Sequence, residues 1–366
     1  SDYWSLSVLV DELGQFYAAE RSGKPASLPP ITSTYGDYIQ WQNKMLAGPQ
    51  GIKLQVFWER RLAGELPVFE LASDRPRPLR QTFNGSAFPF RIDEETVRGI
   101  DQLSRQEGVT PFVTLLSVFQ LFLARYTGQN DILIGTPSAG RSQKEFEDVI
   151  GYFANPIVIR AELSDRLTLR SLLRHMREVT LEAIAHQDYP FPYLVEKLQT
   201  HRDAARSPIF QTMFAFQRAP RLEEQKFSMF MMGDPNSRLD LHGLRLTPYP
   251  MPQQEGQFDL SLTVIKDGLF LQAAFLFNTD LLDRSTIERL TRNFQHFLQS
   301  ALLEPDSSIH KLSILAKEEA QTILQDWDTY TELLPADRCI HDRIDEVART
   351  HPDRIAVTCS SEQLTY

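Results

Sequence analysis

Apolar residues recur at helical spacing in several long segments of the chain. Near its start, five of them predict an amphipathic helix that ends near Gly23: Leu6, Leu9, Val10, Leu13 and Phe16. The same periodicity predicts helices over about 35–46, 52–62, 93–107, 112–126, 168–185 and 285–302. The helix over 112–126 is apolar on every side and too short to cross a membrane, so we expect it to be buried between layers.

Alternating and short continuous apolar runs predict strands between these helices. They lie at about 88–92, 132–135, 156–163, 209–216, 258–265 and 269–277, and the last two are expected to form a hairpin across Lys266, Asp267 and Gly268. Strands interspersed with helices indicate an α/β fold, in the form of an α+β two-layer sandwich.

Composition excludes several kinds of partner. With 38 basic and 48 acidic residues the formal net charge is −10, which argues against a nucleic acid or an anionic membrane as a partner. Cys339 and Cys359 cannot frame a disulfide-stabilised fold, so reduced thiols in the cytoplasm are expected. The missing initiator methionine and the abrupt end suggest a piece cut from a longer polypeptide.

General catalytic motifs are absent from the sequence. Ser138 lacks the upstream glycine of a nucleophile elbow, and there is no phosphate-binding loop or dinucleotide fingerprint. None of the eight histidines pairs at metal-ligand spacing, so no metal site is predicted. His186, two residues before Asp188, is the one tempting pair, and a histidine near a helix end more often caps or packs.

Six short segments resemble, in order, the motifs of the condensation domains of nonribosomal peptide synthetases. The family patterns are HHxxxDGWS, YxDFAxW, GTPxAGR, IGxFVN, HQDYPFE and RDxSRNP, and the matching segments are 1–5, 35–41, 135–141, 150–155, 186–192 and 202–208. Pro192 replaces the glutamate of the fifth motif.

The tail is similar to the opening of an adenylation domain at 340–348, 352–357 and 364–366. These likenesses suggest four regions: the rest of an amino-terminal lobe (1–80), a carboxyl-terminal lobe (81–305), a linker (306–335) and the start of an adenylation domain (336–366).

The resemblance implies a bilobal fold like that of chloramphenicol acetyltransferase, with a tunnel between the lobes and with the amino-terminal lobe incomplete in this chain. Upstream donor and downstream acceptor carrier-protein domains would insert phosphopantetheine arms, and the acceptor amine would attack the donor thioester. This chain would carry no covalent cofactor, and ATP would serve the complete adenylation domain in cis. The paired histidines of HHxxxDG would precede Ser1, so these 366 residues are expected to be inactive alone.

The resemblance also implies roles for individual residues. Asp2 is the structural aspartate of HHxxxDG, expected to pair with an arginine outside the chain. Asn155 is expected to donate a hydrogen bond near the reacting carbonyl, or equally to satisfy backbone groups. A tight turn at the tunnel floor, with Arg141 as an ion-pair partner, would bring together the tunnel residues Gly135, Thr136, Ser138, Arg141 and Tyr152. Structural roles are expected for Trp4, Tyr35, Asp37, Trp41, His186, Gln187, Asp188, Arg202 and Asp203.

Two departures and three rival domains remain open. Tyr3 replaces the glycine of HHxxxDG and Pro156 replaces a threonine, which suggests a subtype that takes a polyketide or fatty acyl donor. A heterocyclisation domain fits Asp2 and Ser5, although the segments at 135–141 and 150–155 favour condensation. An epimerisation domain is rarely followed directly by adenylation. The third rival is a non-catalytic platform that recruits a partner in trans.

Overall fold

The computed structural model describes residues 1–164, 167–198, 203–217, 227, 230, 237–249, 254–267, 269–328, 339–359 and 362–366. Arg202 and Gly268, two of the residues singled out in the sequence, lie outside them. The chain forms two compact units, Ser1–Ile314 and Leu315–Tyr366. Within the described residues no single helix has both the length and the hydropathy of a membrane span, and one pair of helices has them only jointly, across a 105° bend.

The first unit contains these described helices: α1 (Tyr3–Ser22), α2 (Tyr35–Ala47), α3 (Pro49–Arg61), α4 (Glu94–Glu107), α5 (Pro111–Thr127), α6 (Leu169–Ala185), α7 (Phe191–Leu198) and α8 (Arg284–Leu303). Local chemistry sets their ends. Thr110 caps α5 by accepting a hydrogen bond from Val113 N, and Pro111 stands where its missing N–H removes no helical bond. Gly128 ends the helix in the left-handed conformation.

A mixed six-stranded sheet lies at the centre of this unit. Its strands are β1 (Gly85–Ile92), β2 (Asp131–Ser138), β3 (Asn155–Glu162), β4 (Thr212–Gln217), β7 (Leu260–Asp267) and β8 (Phe270–Asn278), and β5 (Leu239–Leu241) and β6 (Leu244–Leu246) form a separate hairpin. The strand order is β1-β8-β7-β4-β2-β3. The pairs β7–β4 and β4–β2 are parallel, and the other neighbours are antiparallel. The predicted hairpin of the last two strands is confirmed.

Helices α4, α5, α6 and α8 pack against one another and against this sheet. Every residue of α5 from Val113 to Ala124 is buried, which confirms the expected burial of that helix. Its Gln120 amide donates to the carbonyls of Ile132 and Ile159 and so ties the helix to two strands. Aromatic rings from helices and sheet meet beside it, with ring centroids 5.4 Å apart for Phe122 and Phe294.

A long extended segment, residues 69–84, ties the helical start of the chain to the sheet. The Arg77 guanidinium binds both carboxylate oxygens of Asp259, which is buried just before β7. Asp74 accepts hydrogen bonds from Asp283 N and Thr286 Oγ1 at the start of α8. Leu54 and Trp58 of α3 enter the same core as the sheet. The expected division of the chain into two lobes at residue 80 remains a prediction.

The end of the first unit extends into the predicted linker. Ile309 and Leu312 are buried in the main core, and Arg170 of α6 binds Asp306. The chain is therefore held against this unit as far as Ile314. The second unit contains α9 (Lys317–Asp328), α10 (Ile340–Thr350) and an antiparallel pair, β9 (Ile355–Cys359) and β10 (Glu362–Thr365).

Candidate functional site

The first turn of α1 is fastened to the loop that joins β2 to β3. Asp2 caps α1, because its Oδ1 accepts a hydrogen bond of 2.8 Å from Ser5 N. Its Oδ2 accepts from Phe153 N at 2.8 Å and from Ala154 N at 3.2 Å. The Asp2 N–H in turn donates to Gly151 O. One buried carboxylate thus closes a loop that is about 150 residues away in the sequence.

Arg141 completes this group. Its Nη2 lies 2.8 Å from Ser5 Oγ and 3.4 Å from Asp2 Oδ1, and its Nη1 donates to the carbonyls of Phe146 and Val149. The guanidinium carbon lies 3.9 Å from the ring centroid of Phe153. We call Asp2, Ser5, Arg141, Gly151 and Phe153 the Asp2 cluster.

The Asp2 cluster corrects one expectation: the arginine partner of Asp2 lies within the chain and comes from the third motif. The Asp2 side chain is 5% exposed and the Arg141 side chain is 1% exposed, so the ion pair is shielded from solvent. Burial alone would raise the pKa of the Asp2 carboxyl, but the hydrogen bonds from Ser5 and Phe153, with the charge of Arg141, hold that pKa below its ordinary value. The carboxylate is therefore kept ionised and structural.

Aromatic side chains surround the loop behind the Asp2 cluster. The centroids of the buried Tyr38 and Phe153 rings are 4.4 Å apart, and the hydroxyl of Tyr35 donates to Tyr152 O. Trp41 lies next to Tyr38, with ring centroids 5.8 Å apart. Tyr152 itself is exposed. The second motif, on α2, thus packs against the fourth motif, on the loop.

Other members of these motifs make further structural contacts. The Trp4 indole N–H donates to Glu147 O. Asp37 forms a capping box with Thr34 at the start of α2. Gly140 has φ of +64°, and a Cβ there would lie 1.8 Å from Phe153 O, so this turn has no room for a larger residue.

Asn155 satisfies backbone groups on the segment that follows α6. Its Nδ2 donates to Gln187 O and to Tyr189 O, each at 2.8 Å, and its Oδ1 accepts from Phe191 N. Both amide hydrogens are therefore used, and neither is left for a reacting carbonyl. Of the two roles expected for Asn155, these contacts favour the satisfaction of backbone groups over donation to a substrate carbonyl.

The fifth motif, at the end of α6, joins three parts of the unit. The His186 ring lies parallel to Phe57, with centroids 3.7 Å apart, and its carbonyl accepts from the Trp58 indole. Burial raises the pKa of the Asp188 carboxyl, and a hydrogen bond from Ser142 opposes that shift. Burial, followed by the charge of Asp188, raises the pKa of Tyr38 to about 12.

The residues assigned to the tunnel floor lie mainly on a strand. The tight turn expected over 135–141 is confined to the end of that segment, because β2 continues through Ser138 and Gly140 has a positive φ. Thr136 is buried, and the Ser138 hydroxyl is a buried atom without a hydrogen-bond partner among the described residues. β2 and β4 are paired at the single position Gly135↔Met213. Asn155 lies opposite Ser138 on β3.

Asp203, a further predicted residue, stands apart from this group. Asp203 accepts from Ala205 N and lies 3.4 Å from Arg206, at a turn, and Arg202 is outside the described residues. The sequence reading missed Arg77 with Asp259, whose pairing spans 182 residues, and it missed Ser142 beside Asp188. The only sequence signal for the pair of Arg77 with Asp259 was the run of charged residues near Pro78.

Among the residues that the structure describes, one group of side chains has ligand atoms close enough for a metal ion. The ligand atoms of Cys339, His341 and Asp342 lie within 4.8 Å of one another, and all three residues are exposed. Asp342 already accepts from Cys339 N in the capping box of α10. This contact accounts for the grouping without a metal ion.

The chain resembles known proteins along its whole length. A family model described as "Condensation domain" matches residues 1–324. One component of the linear gramicidin synthase of Brevibacillus parabrevis is 35% identical over 366 residues, and malpinin synthetase of Mortierella alpina is 33% identical over 366 residues. Both alignments cover 100% of this chain, which spans 7% and 4% of the length of those relatives.

Solved structures show the same fold. A four-domain nonribosomal peptide synthetase bound to AMP and glycine aligns with a TM-score of 0.78 and 23% identity, over 100% of this chain and 27% of that chain. The X-domain from teicoplanin biosynthesis aligns with a TM-score of 0.74 and 23% identity, over 86% of this chain and 70% of that one. The expected α/β fold is thereby confirmed.

Proposed function

Because the chain belongs to the condensation-domain family of nonribosomal peptide synthetases, we propose that it supplies the carboxyl-terminal lobe and one tunnel wall of an amide-forming domain. The observation that carries this proposal is the Asp2 cluster. In the family pattern HHxxxDG the second histidine precedes the aspartate by four residues, which is at most about 14 Å of extended chain. Fastening Asp2 to residues 141–154 would therefore restrict where that histidine can lie.

The reaction joins two thioesters carried by separate carrier-protein domains. The acceptor amine nitrogen attacks the donor carbonyl carbon, the C–N bond forms, the C–S bond breaks, and a proton passes from nitrogen to the released thiol. Holding two tethered reactants in place can supply roughly 7–11 kcal/mol. A general base typically adds about 10²–10⁴-fold. A rigid lobe that fixes the tunnel wall would act mainly through the first contribution.

The position proposed for a phosphopantetheine arm is beside Ser138, at the end of β2. Ser138 offers a buried hydroxyl without a partner among the described residues, and such a group favours a polar ligand. An amide of the arm is the polar group that we expect there. The donor and acceptor carrier domains are the proposed partners, and the cytoplasm is the proposed compartment.

The second unit supports a proposed order of domains. Helix α10 and the strands β9 and β10 lie in the segment whose sequence resembles the opening of an adenylation domain. Two of the aligned synthetases extend over this segment as well. An adenylation domain that follows in cis would use ATP to activate the acceptor amino acid.

The test uses the protein expressed from its full open reading frame, with donor and acceptor thioesters loaded on carrier domains and the products identified by mass spectrometry. We expect an amide product, and we expect no amide from the 366 residues alone. Arg141→Met should abolish most of the rate. Arg160→Met, which removes a partly exposed pair with Asp131, should leave it nearly unchanged.

Other outcomes identify the alternatives. A product that has lost one further water would favour heterocyclisation. No product from the full-length protein, together with capture of a second enzyme, would favour a recruiting platform. An Arg141→Met protein that folds and forms amide at the unaltered rate would refute the role given to the Asp2 cluster.

A further inference from the structure

Tyr3 lies between residues of the first turn of α1 that contact the β2–β3 loop, yet its own ring packs in another direction. The centroid of that ring lies 5.4 Å from the centroid of Phe227, with an angle of 51° between the planes. Phe227 is 0% exposed. The tyrosine that replaces the glycine of the first motif therefore contacts Phe227, whereas Asp2 and Ser5 beside it bind the β2–β3 loop.

Phe227 belongs to a small core that is separate from the main one. We call this group the α1–hairpin core. Besides Phe227 it contains Tyr3, Leu6, Val10, Phe230, Leu239, Leu241, Leu244 and Leu246. Residues 3, 6 and 10 are spaced as one face of a helix. This face of α1 therefore packs against the β5–β6 hairpin.

The α1–hairpin core is closely fitted at its far end. A Cβ added at Gly14 would lie 2.8 Å from Leu241 Cβ, so a larger residue at this position would not fit between the helix and the hairpin. His242 and Gly243 both have positive φ, which is the geometry of a tight two-residue hairpin turn, and Gly243 N donates to Asp240 Oδ1. The hairpin can therefore act as one rigid element.

The first turn of α1 is thus held on two sides. Asp2, Trp4 and Ser5 bind the loop between β2 and β3, while Tyr3 binds Phe227. We infer that Tyr3 is a positioning residue, which couples the β5–β6 hairpin to the Asp2 cluster and so fixes the rotation of the first turn of α1. Its consequence for amide formation rests on the proposed function, whereas the coupling itself does not.

The coupling can be measured by hydrogen exchange on the 366-residue chain. Tyr3→Gly should speed exchange of the hairpin amides and also of the Phe153 and Ala154 amides, which donate to Asp2, by about tenfold. The carboxyl carbon signal of Asp2 should titrate closer to the ordinary aspartate range in the same variant. Tyr3→Phe keeps the ring and should restore both readings.

Tyr17→Gly is the matched control. It removes the same ring from the same helix, but Tyr17 is partly exposed and outside the α1–hairpin core. It should leave Phe153 and Ala154 unchanged. If Tyr3→Gly does not fold, Phe227→Leu tests the contact from the other side. Loosening of the hairpin without faster exchange at Phe153 and Ala154, in either variant, would overturn the inference, whatever the amide-forming assay shows.

Discussion

Replacing Asp2 with asparagine removes one buried negative charge and leaves the size of the side chain almost unchanged. The helix cap should survive, because asparagine caps a helix as well as aspartate does and its oxygen can still accept from Ser5 N. The other carboxylate oxygen becomes an amide group. That group would face the N–H groups of Phe153 and Ala154, which are donors themselves. The substitution therefore tests the closure of the loop separately from the cap.

The magnitude follows from these contacts. A hydrogen bond to a charged group contributes about 1.5–3 kcal/mol, and two such bonds are lost. Breaking a buried ion pair costs about 3–5 kcal/mol. Arg141 keeps its bonds to Phe146 O, Val149 O and Ser5 Oγ, so its charge is not left unsatisfied. We therefore expect a loss of about 3 kcal/mol, at the lower end of that range.

The loss should also depend on pH, with a definite sign. The pKa of Asp2 is lower in the folded chain than in the unfolded chain, so its stabilisation is complete above the ordinary aspartate pKa of about 3.9. It is lost as the pH falls from that value through the lowered one. The asparagine variant does not titrate, so the difference between the two proteins should shrink over that acid range.

The assay is urea unfolding of the 366-residue chain at pH 7 and at several acid pH values. Asp37→Asn is the control, because Asp37 also accepts backbone and hydroxyl hydrogen bonds at a helix start but is exposed. It should change the unfolding midpoint far less. Equal effects of the two substitutions, or a loss at position 2 that does not vary with pH, would show that the charge of Asp2 does not hold the loop.

Three further substitutions probe the same region, each measured by urea unfolding. Gly140→Ala should cost more than about 3 kcal/mol, because the Cβ meets the Phe153 carbonyl, whereas Gly23→Ala, with a similar φ and open space, should cost about 1 kcal/mol. Asp188→Asn should stabilise the protein at pH 7, since a raised folded pKa penalises the charge, and the gain should vanish in acid. Asn155→Asp should cost about 2–4 kcal/mol, because a carboxylate would face two carbonyls, and acid should lessen the loss.

Elements with strong local signals could be predicted from the sequence. Helix α5 illustrates this, because a capping threonine, a proline at the first position and a closing glycine fix its ends, while its apolar surface indicates burial. The β7–β8 hairpin was equally predictable, since two alternating runs flank a short turn. In both cases the determining contacts lie within a few residues.

Strand β2 shows where local reading fails. The predicted strand ended at Gly135, two residues before Pro137, and proline is generally unfavourable inside a sheet. In the structure Pro137 lies opposite Pro156 of β3, at a position where neither strand needs an N–H donor. Only the pairing of the two strands reveals that compatibility. The strand therefore runs three residues beyond its predicted end, and the turn is confined to the residues around Gly140.

The contacts of the site were beyond local reading for a similar reason. Arg141 is 139 residues from Asp2, and Asn155 meets its partners more than 30 residues later. The motifs gave the identities of these residues but not their partners. Pairing over such separations depends on the completed sheet, which brings the ends of β2 and β3 to the first turn of α1.

These contacts explain what the motif residues have in common. Asp2, Arg141 and Asn155 direct their polar atoms mainly to backbone groups of loops, and His186 packs its ring and gives its carbonyl to Trp58. Such residues determine the shape of a lobe and leave little hydrogen-bonding capacity for a substrate. At these positions the likeness of the chain to its family is therefore a likeness in how the loops that follow β2 and α6 are fastened.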